Sequence, residues 1–184
     1  RDHSIKENLV NGLTIYSLVG GKWTSFRAFS EQVADKVVKV VGLARKGSTA
    51  ALPVRGGKDF PLTMESKAAY ALRVAKKYSL ERDYVAELLT RYGTNAEKIA
   101  EFIHTSHSKM MKSIPNWNEG ELIYILRNEK PMHLEDVFIR RSTIAWLGNA
   151  SDEVIDEFVD VMAKEYHWNE ETKKKEIVRM KSNL

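Results

Sequence analysis

The chain contains no cysteine. That excludes a disulfide framework and thiolate metal sites, and it fits a reducing compartment. It also lacks an excess of one charge. Its 29 basic and 25 acidic residues leave +4 at pH 7, and the two signs interleave as they do on solvated helices. No basic cluster or aromatic platform for a nucleic acid is present. No apolar run approaches the roughly 18 residues of a membrane span, and residues 1–20 lack the apolar core of a signal peptide. There is no repeat of fixed period and no low-complexity tract. Neither a phosphate-binding Walker loop nor a Gly-x-Gly-x-x-Gly fingerprint occurs, and no Ser-His-Asp or Cys-His set suggests itself. His104 and His107 have helical spacing but no acidic third ligand, so they read as surface or half-buried histidines and no metal site is expected.

What is there is a chain of 184 residues, 43% hydrophobic, enough to bury a sizeable core. It begins with Arg1, which reads as a piece cut from something longer. Residues 3–9 and 13–19 each have extended character, and Asn11-Gly12 between them is a strong hairpin signal. From Thr24 to about Val41, Phe26, Phe29, Val33, Val37, Val40 and Val41 recur every three or four residues, which predicts a helix with Gly42 as its stop.

Between strand and helix lies Gly20-Gly21-Lys22-Trp23-Thr24. Two glycines let the backbone turn sharply and lie close to another body. The helix start presents unpaired N–H groups, and Lys22 and Arg27 flank it, so the corner suits an anion or an electron-rich oxygen. A merely structural turn explains the same residues. Arg27 in a first helical turn opposes the dipole. It has either a partner carboxylate or a ligand's negative charge to face.

Residues 43–62, punctuated by Gly47, Pro53, Gly56-Gly57 and Pro61, read as a connector and a domain boundary. Beyond it the pattern is helical: Met64 to Lys77, Glu81 to Arg91, and a helix opened by a Thr94-x-x-Glu97 capping box. Another starts at Asn118-x-x-Glu121, a further one runs from Leu134 to Leu147, and two begin at Ser151 and Asn169. Arg140 and Arg141 could bind phosphate, but Glu135 or Asp136 a turn earlier would pair with them. The expected fold is therefore mainly α: an all-α body over 63–184, preceded by a β-hairpin and strand-turn-helix in 1–62.

Read as a string, Gly20-Gly21-Lys22-Trp23-Thr24-Ser25-Phe26-Arg27 closely resembles the Gly-Gly-Lys-(Trp/Leu)-Thr-Thr-Tyr-Arg motif of FAD-dependent glycerol-3-phosphate dehydrogenases. Arg1-Asp2-His3, Leu52-Pro53-Val54-x-Gly56-Gly57, the stretch Ile123 to Glu129, and Leu134 to Ser142 resemble further segments of that family, in order. Ser25 and Phe26 depart from it by one methyl and one hydroxyl. The family's N-terminal dinucleotide fingerprint and substrate-binding sheet are not present.

The resemblance implies a C-terminal portion of a flavoprotein that oxidises sn-glycerol 3-phosphate and passes electrons to a quinone. Residues 1–62 would be the end of its FAD-binding α/β domain and 63–184 its helical C-terminal domain. It implies that Gly20, Gly21, Lys22, Trp23 and Thr24 meet FAD and that Arg1 meets the substrate. The general base would lie in the remainder of the same enzyme chain. Implied partners are that remainder, a second copy in a homodimer, and a membrane contacted peripherally. A eukaryotic member would sit at the mitochondrial inner membrane, a bacterial one at the plasma membrane. The competing expectation is a non-catalytic helical module that docks a protein partner.

Overall fold

The structure, a computed structural model, describes residues 3–184. They fall into two compact units, divided between Val54 and Arg55. The first opens with strands β1 (Ser4–Val10) and β2 (Leu13–Val19), paired antiparallel from Ser4 opposite Val19 to Val10 opposite Leu13. Asn11 and Gly12 form the two-residue link, both with positive φ (50° and 82°), as a turn that follows the strands' twist requires. Among the described residues the sheet has only these two strands, and both faces remain largely open, with Leu9 and Leu13 exposed.

Helix α1 spans Phe26–Val40. Its apolar stripe is as the spacing predicts, but within the described residues only Phe29 is buried, while Phe26, Val37 and Val40 are exposed. His3 stacks on Phe29 with ring centroids 4.3 Å apart. Gly42, with φ of 73°, ends the helix; its N–H bonds Lys39 O, and Leu43 N–H bonds Val38 O.

The second unit is helical throughout: α2 (Met64–Tyr78), α3 (Arg82–Tyr92), α4 (Ala96–Ser106), α5 (Glu119–Glu129), α6 (Asp152–Tyr166) and α7 (Glu170–Lys181). Caps set several starts. Thr63 and Ser66 form a reciprocal capping box on α2, and Asn118, Ser151 and Asn169 each accept an N–H of the helix that follows. The larger core lies among α5, α6 and α7, where Phe138 and Trp117 both meet the Phe158 ring edge-on, at 4.9 and 5.5 Å. Smaller clusters join α2 to α3 and α4 through Val74, Val85 and Ala100, and α3 to α4 through Leu88 and Ile99.

Two expectations fail here. The stretch 134–147 is not one helix. A short π-helical turn (Asp136–Arg141) ends at Ser142, which is extended (φ −141°, ψ 175°). Its carbonyls find other partners: Phe138 O accepts from the Ser142 hydroxyl and from Ala145 N, and Ile139 O from the Trp146 indole. Helical continuation would need those acceptors for the next turn, and Thr143 and Ile144 are β-branched besides. Thr94 also caps nothing. Asn95 holds the N-cap position of α4 without a side-chain bond, and the Thr94 hydroxyl instead donates to Gly56 O and Lys58 O, at 3.2 and 2.8 Å.

That last contact belongs to a backbone crossing. Thr94 N–H bonds Gly56 O at 2.9 Å. A Cβ on Gly56 would stand 2.2 Å from Tyr92 O, and one on Gly93 would stand 2.1 Å from Gly56 O. Both glycines have positive φ (82° and 59°). Only glycine allows the two backbones this approach.

Candidate functional site

The corner begins where β2 ends. Gly20 and Gly21 have φ of 81° and 105°, and a Cβ on Gly21 would lie 3.4 Å from the Phe29 ring. The chain therefore turns here at a point no other residue type enters without strain. The Ser25 hydroxyl folds back, accepting Lys22 N–H at 3.1 Å and donating to Lys22 O at 3.2 Å. It does not cap α1, although Ser25 holds the N-cap position. The start of α1 keeps its positive dipole end, with no acidic residue in its first turn. Thr24 stands exposed in the turn before Ser25 and does not cap the helix.

Lys22, Trp23, Phe26 and the two glycines, with Phe29 beneath, line a hollow of about 290 Å³. Trp23 is 92% exposed, and Lys22 makes no ion pair among the described residues. An exposed indole and phenyl ring, an unpaired ammonium and an uncapped helix start around a Gly-Gly turn form a set suited to a planar, electron-rich ring. Arg27 does not join it. Its guanidinium pairs with Glu31 one turn on. Arg27, Ser48 and Arg45 together pull the Glu31 carboxyl down to about 2. The ion pair, not a ligand, accounts for a cation in that first turn. Arg1, which the resemblance assigns to substrate, lies outside the described residues.

A second polar cluster was missed by pattern reading. Glu121, which reads as a capping residue of α5, is fully buried. Its carboxylate accepts the Tyr84 hydroxyl at 2.8 Å, the Tyr92 hydroxyl at 2.7 Å and Arg91 Nη2 at 3.0 Å. Arg91 Nε lies 2.9 Å from the same carboxylate but off its axis, an ion contact rather than a directed bond. The guanidinium rests on the Trp117 ring, 5.0 Å from its centroid. Burial pushes the Glu121 carboxyl up against the pull of Arg91 and the two hydroxyls, and burial beside Glu121 pushes both phenols up as well. The sequence signal was the coincidence of Tyr84, Arg91 and Tyr92 on α3, which periodicity treats as core and rim.

Several other chemistry-bearing residues are tied internally. Arg127 forks onto Glu165 at 2.6 and 3.0 Å, Arg140 pairs with Asp136 at 2.9 Å, and Arg141 lies 3.3 Å from Glu129. His104 and His107 are exposed at the end of α4, and His133 Nδ1 meets Glu176 at 2.9 Å. Among the described residues no group of three or more His, Asp or Glu is arranged to hold a metal, and no helix is long and apolar enough to cross a membrane.

Comparison with known proteins adds the decisive observation. A profile of the C-terminal domain of alpha-glycerophosphate oxidase matches residues 47–173, more than half of the chain. The chain belongs to that family. Among curated relatives, the mitochondrial glycerol-3-phosphate dehydrogenase of Rattus norvegicus is 27% identical over 96% of this chain and 24% of its own length. The alpha-glycerophosphate oxidase of Streptococcus pneumoniae is 26% identical over 89% of this chain and 27% of its own. The chain thus spans about a quarter of the length of the curated relatives it matches. A crystal structure of the glycerol-3-phosphate dehydrogenase from Bacillus halodurans, complexed with FAD, superposes with a TM-score of 0.72 at 22% identity. It covers 96% of this chain and 36% of that one. This likeness establishes the fold. The mainly α architecture expected from the sequence is the architecture of this family's C-terminal domain.

Proposed function

We propose that the chain is the C-terminal part of an FAD-dependent glycerol-3-phosphate dehydrogenase, with residues 1–62 ending its flavin domain and 63–184 forming its helical domain. The observation that carries this reading is the Gly20–Thr24 corner: a backbone turned by two glycines, an unpaired Lys22, exposed Trp23 and an uncapped helix start. It occurs in a chain whose family and relatives act on glycerol 3-phosphate by name.

FAD bound at this corner would supply the hydride-accepting ring for oxidation of glycerol 3-phosphate. The chain's own residues do the rest of what can be assigned here. Gly20 and Gly21 let the backbone come close to the ring. Lys22 and the α1 N-terminus would stabilise negative charge at the edge of a bound ring, the kind of interaction that raises rate. Trp23 and Phe26 cover apolar ring surface and exclude water. Arg1 would fork onto the substrate. The general base would come from the remainder of the enzyme chain, a quinone would take the electrons, membrane contact would be peripheral and through the full-length enzyme, and a second copy would complete a homodimer. A eukaryotic enzyme of this kind would work at the mitochondrial inner membrane.

In the full-length enzyme, Lys22→Ala should slow flavin reduction in a single turnover by about tenfold to a thousandfold while leaving FAD content unchanged. An unchanged reduction rate would remove Lys22 from this role. The reading as a non-catalytic docking module would gain from a native gene product that lacks an upstream dinucleotide-binding strand and Gly-x-Gly-x-x-Gly.

A further inference from the structure

Four arginines from separate parts of the second unit line one hollow of about 420 Å³: Arg55 at the unit's entry, Arg91 on α3, and Arg140 and Arg141 at the end of the π-helical turn. Glu129 is the one carboxylate in its wall. Four guanidiniums at one hollow repel one another unless counter-charge is supplied. The fold supplies some of it from behind. Arg91 is held by buried Glu121. Arg140 gives Nη1 to Asp136 at 2.9 Å and to Glu135 at 3.4 Å, and Arg141 Nη1 lies 3.3 Å from Glu129.

These contacts engage one nitrogen each on Arg140 and Arg141, whose side chains stay 57% and 48% exposed. Arg55 makes no ion pair among the described residues. It is held at the rim by the crossing of Gly56 and Gly93, not by a carboxylate.

We propose that this hollow binds a small molecule bearing a phosphate group, with its oxygens on Arg55, Arg140 and Arg141. A tetrahedral dianion can accept forks from more than one guanidinium at once, whereas a single carboxylate fills one fork. Phe60 and Tyr92 in the same wall offer apolar surface to the organic part. The assignment concerns residues of the helical unit alone and does not rest on the flavin corner.

Titration calorimetry of the 184-residue chain with inorganic phosphate, at ionic strength held constant with sodium chloride, tests it. A single saturable site is expected, weakened about tenfold or more by Arg55→Gln and by Arg141→Gln. Arg55→Gln should leave the helical circular dichroism unchanged, because Arg55 has no partner in the fold to lose. Three results would each overturn the proposal. They are the absence of saturable heat, an affinity unaltered by Arg55→Gln, and binding of a glutamate-rich peptide where phosphate does not bind. The last would assign the hollow to an acidic polypeptide segment.

Discussion

At position 121 a glutamate three residues into a helix reads as a capping partner, exposed and dispensable. In the structure it lies on the face of α5 that meets α3, with no access to water, holding two tyrosine hydroxyls and an arginine. Removing one partner of a buried ion pair leaves the other charge stranded, which costs about 3–5 kcal/mol. Glu121→Ala should therefore lower urea-unfolding stability by about that much, and Tyr84→Phe by about 1–2 kcal/mol, since one carboxylate oxygen keeps its other donors. A Glu121→Ala stability within 0.5 kcal/mol of the parent, roughly the scatter expected of a surface substitution, would show the cluster to be incidental. The turn at Gly20-Gly21 was legible because two adjacent glycines between a strand pattern and a helix pattern mark a sharp change of direction. Glu121 was not, because a carboxylate's burial depends on which helices pack over it, and local spacing carries no such information.

Elements were legible where local chemistry decides them. Asn11-Gly12 fixes a hairpin, Gly42 a helix end, and Asn118, Ser151 and Asn169 the starts of α5, α6 and α7. They were illegible where a contact from far along the chain competes for the same group. Thr94 gives its hydroxyl to residues 56 and 58, and Glu97 turns from its expected cap to Arg73 and Lys77 on α2, at 2.9 Å each. Arg73 first and Lys77 second pull the Glu97 carboxyl from 4.5 to about 2. The folded state thus binds its proton less readily than the unfolded chain. The tie between α2 and α4 is fully present above about pH 4.5 and is lost as pH falls toward about 2. Both cations are exposed, so the tie contributes only about 1 kcal/mol. Comparing Glu97→Gln with the parent in urea should show that difference at pH 7 and see it shrink steadily below pH 4.5. A difference that grew on acidification would reverse the assignment.

Over the whole molecule, the two units differ in what they bury. The helical unit encloses three apolar clusters. The hairpin and α1 bury Phe29 and leave Leu9, Leu13, Trp23 and Val40 exposed. A two-stranded sheet with both faces open is marginal by itself, and the curated relatives are about four times as long as the chain. The Gly20–Thr24 corner should need surfaces that those longer relatives provide if it is to hold FAD. The 184-residue chain, purified alone, is expected to show helical circular dichroism but no flavin absorbance, and stoichiometric yellow FAD on it would refute that dependence. The overall class was legible because helical periodicity recurs from Met64 to Lys181, broken mainly over 107–118 and 142–151. The division at 54/55 falls inside the stretch 43–62 that Pro53 and Gly56-Gly57 punctuate, and Gly56 itself forms one side of the crossing with Gly93, which local pattern does not foretell. That crossing has a topological consequence. Thr94 N–H bonds Gly56 O, and α2 and α3 lie wholly between those two residues. The backbone leaves Gly56, runs out along α2, returns along α3 and is fastened to its own starting point. The pair is a loop tied at its base by hydrogen bonds, so unravelling it from its ends requires that fastening to open first.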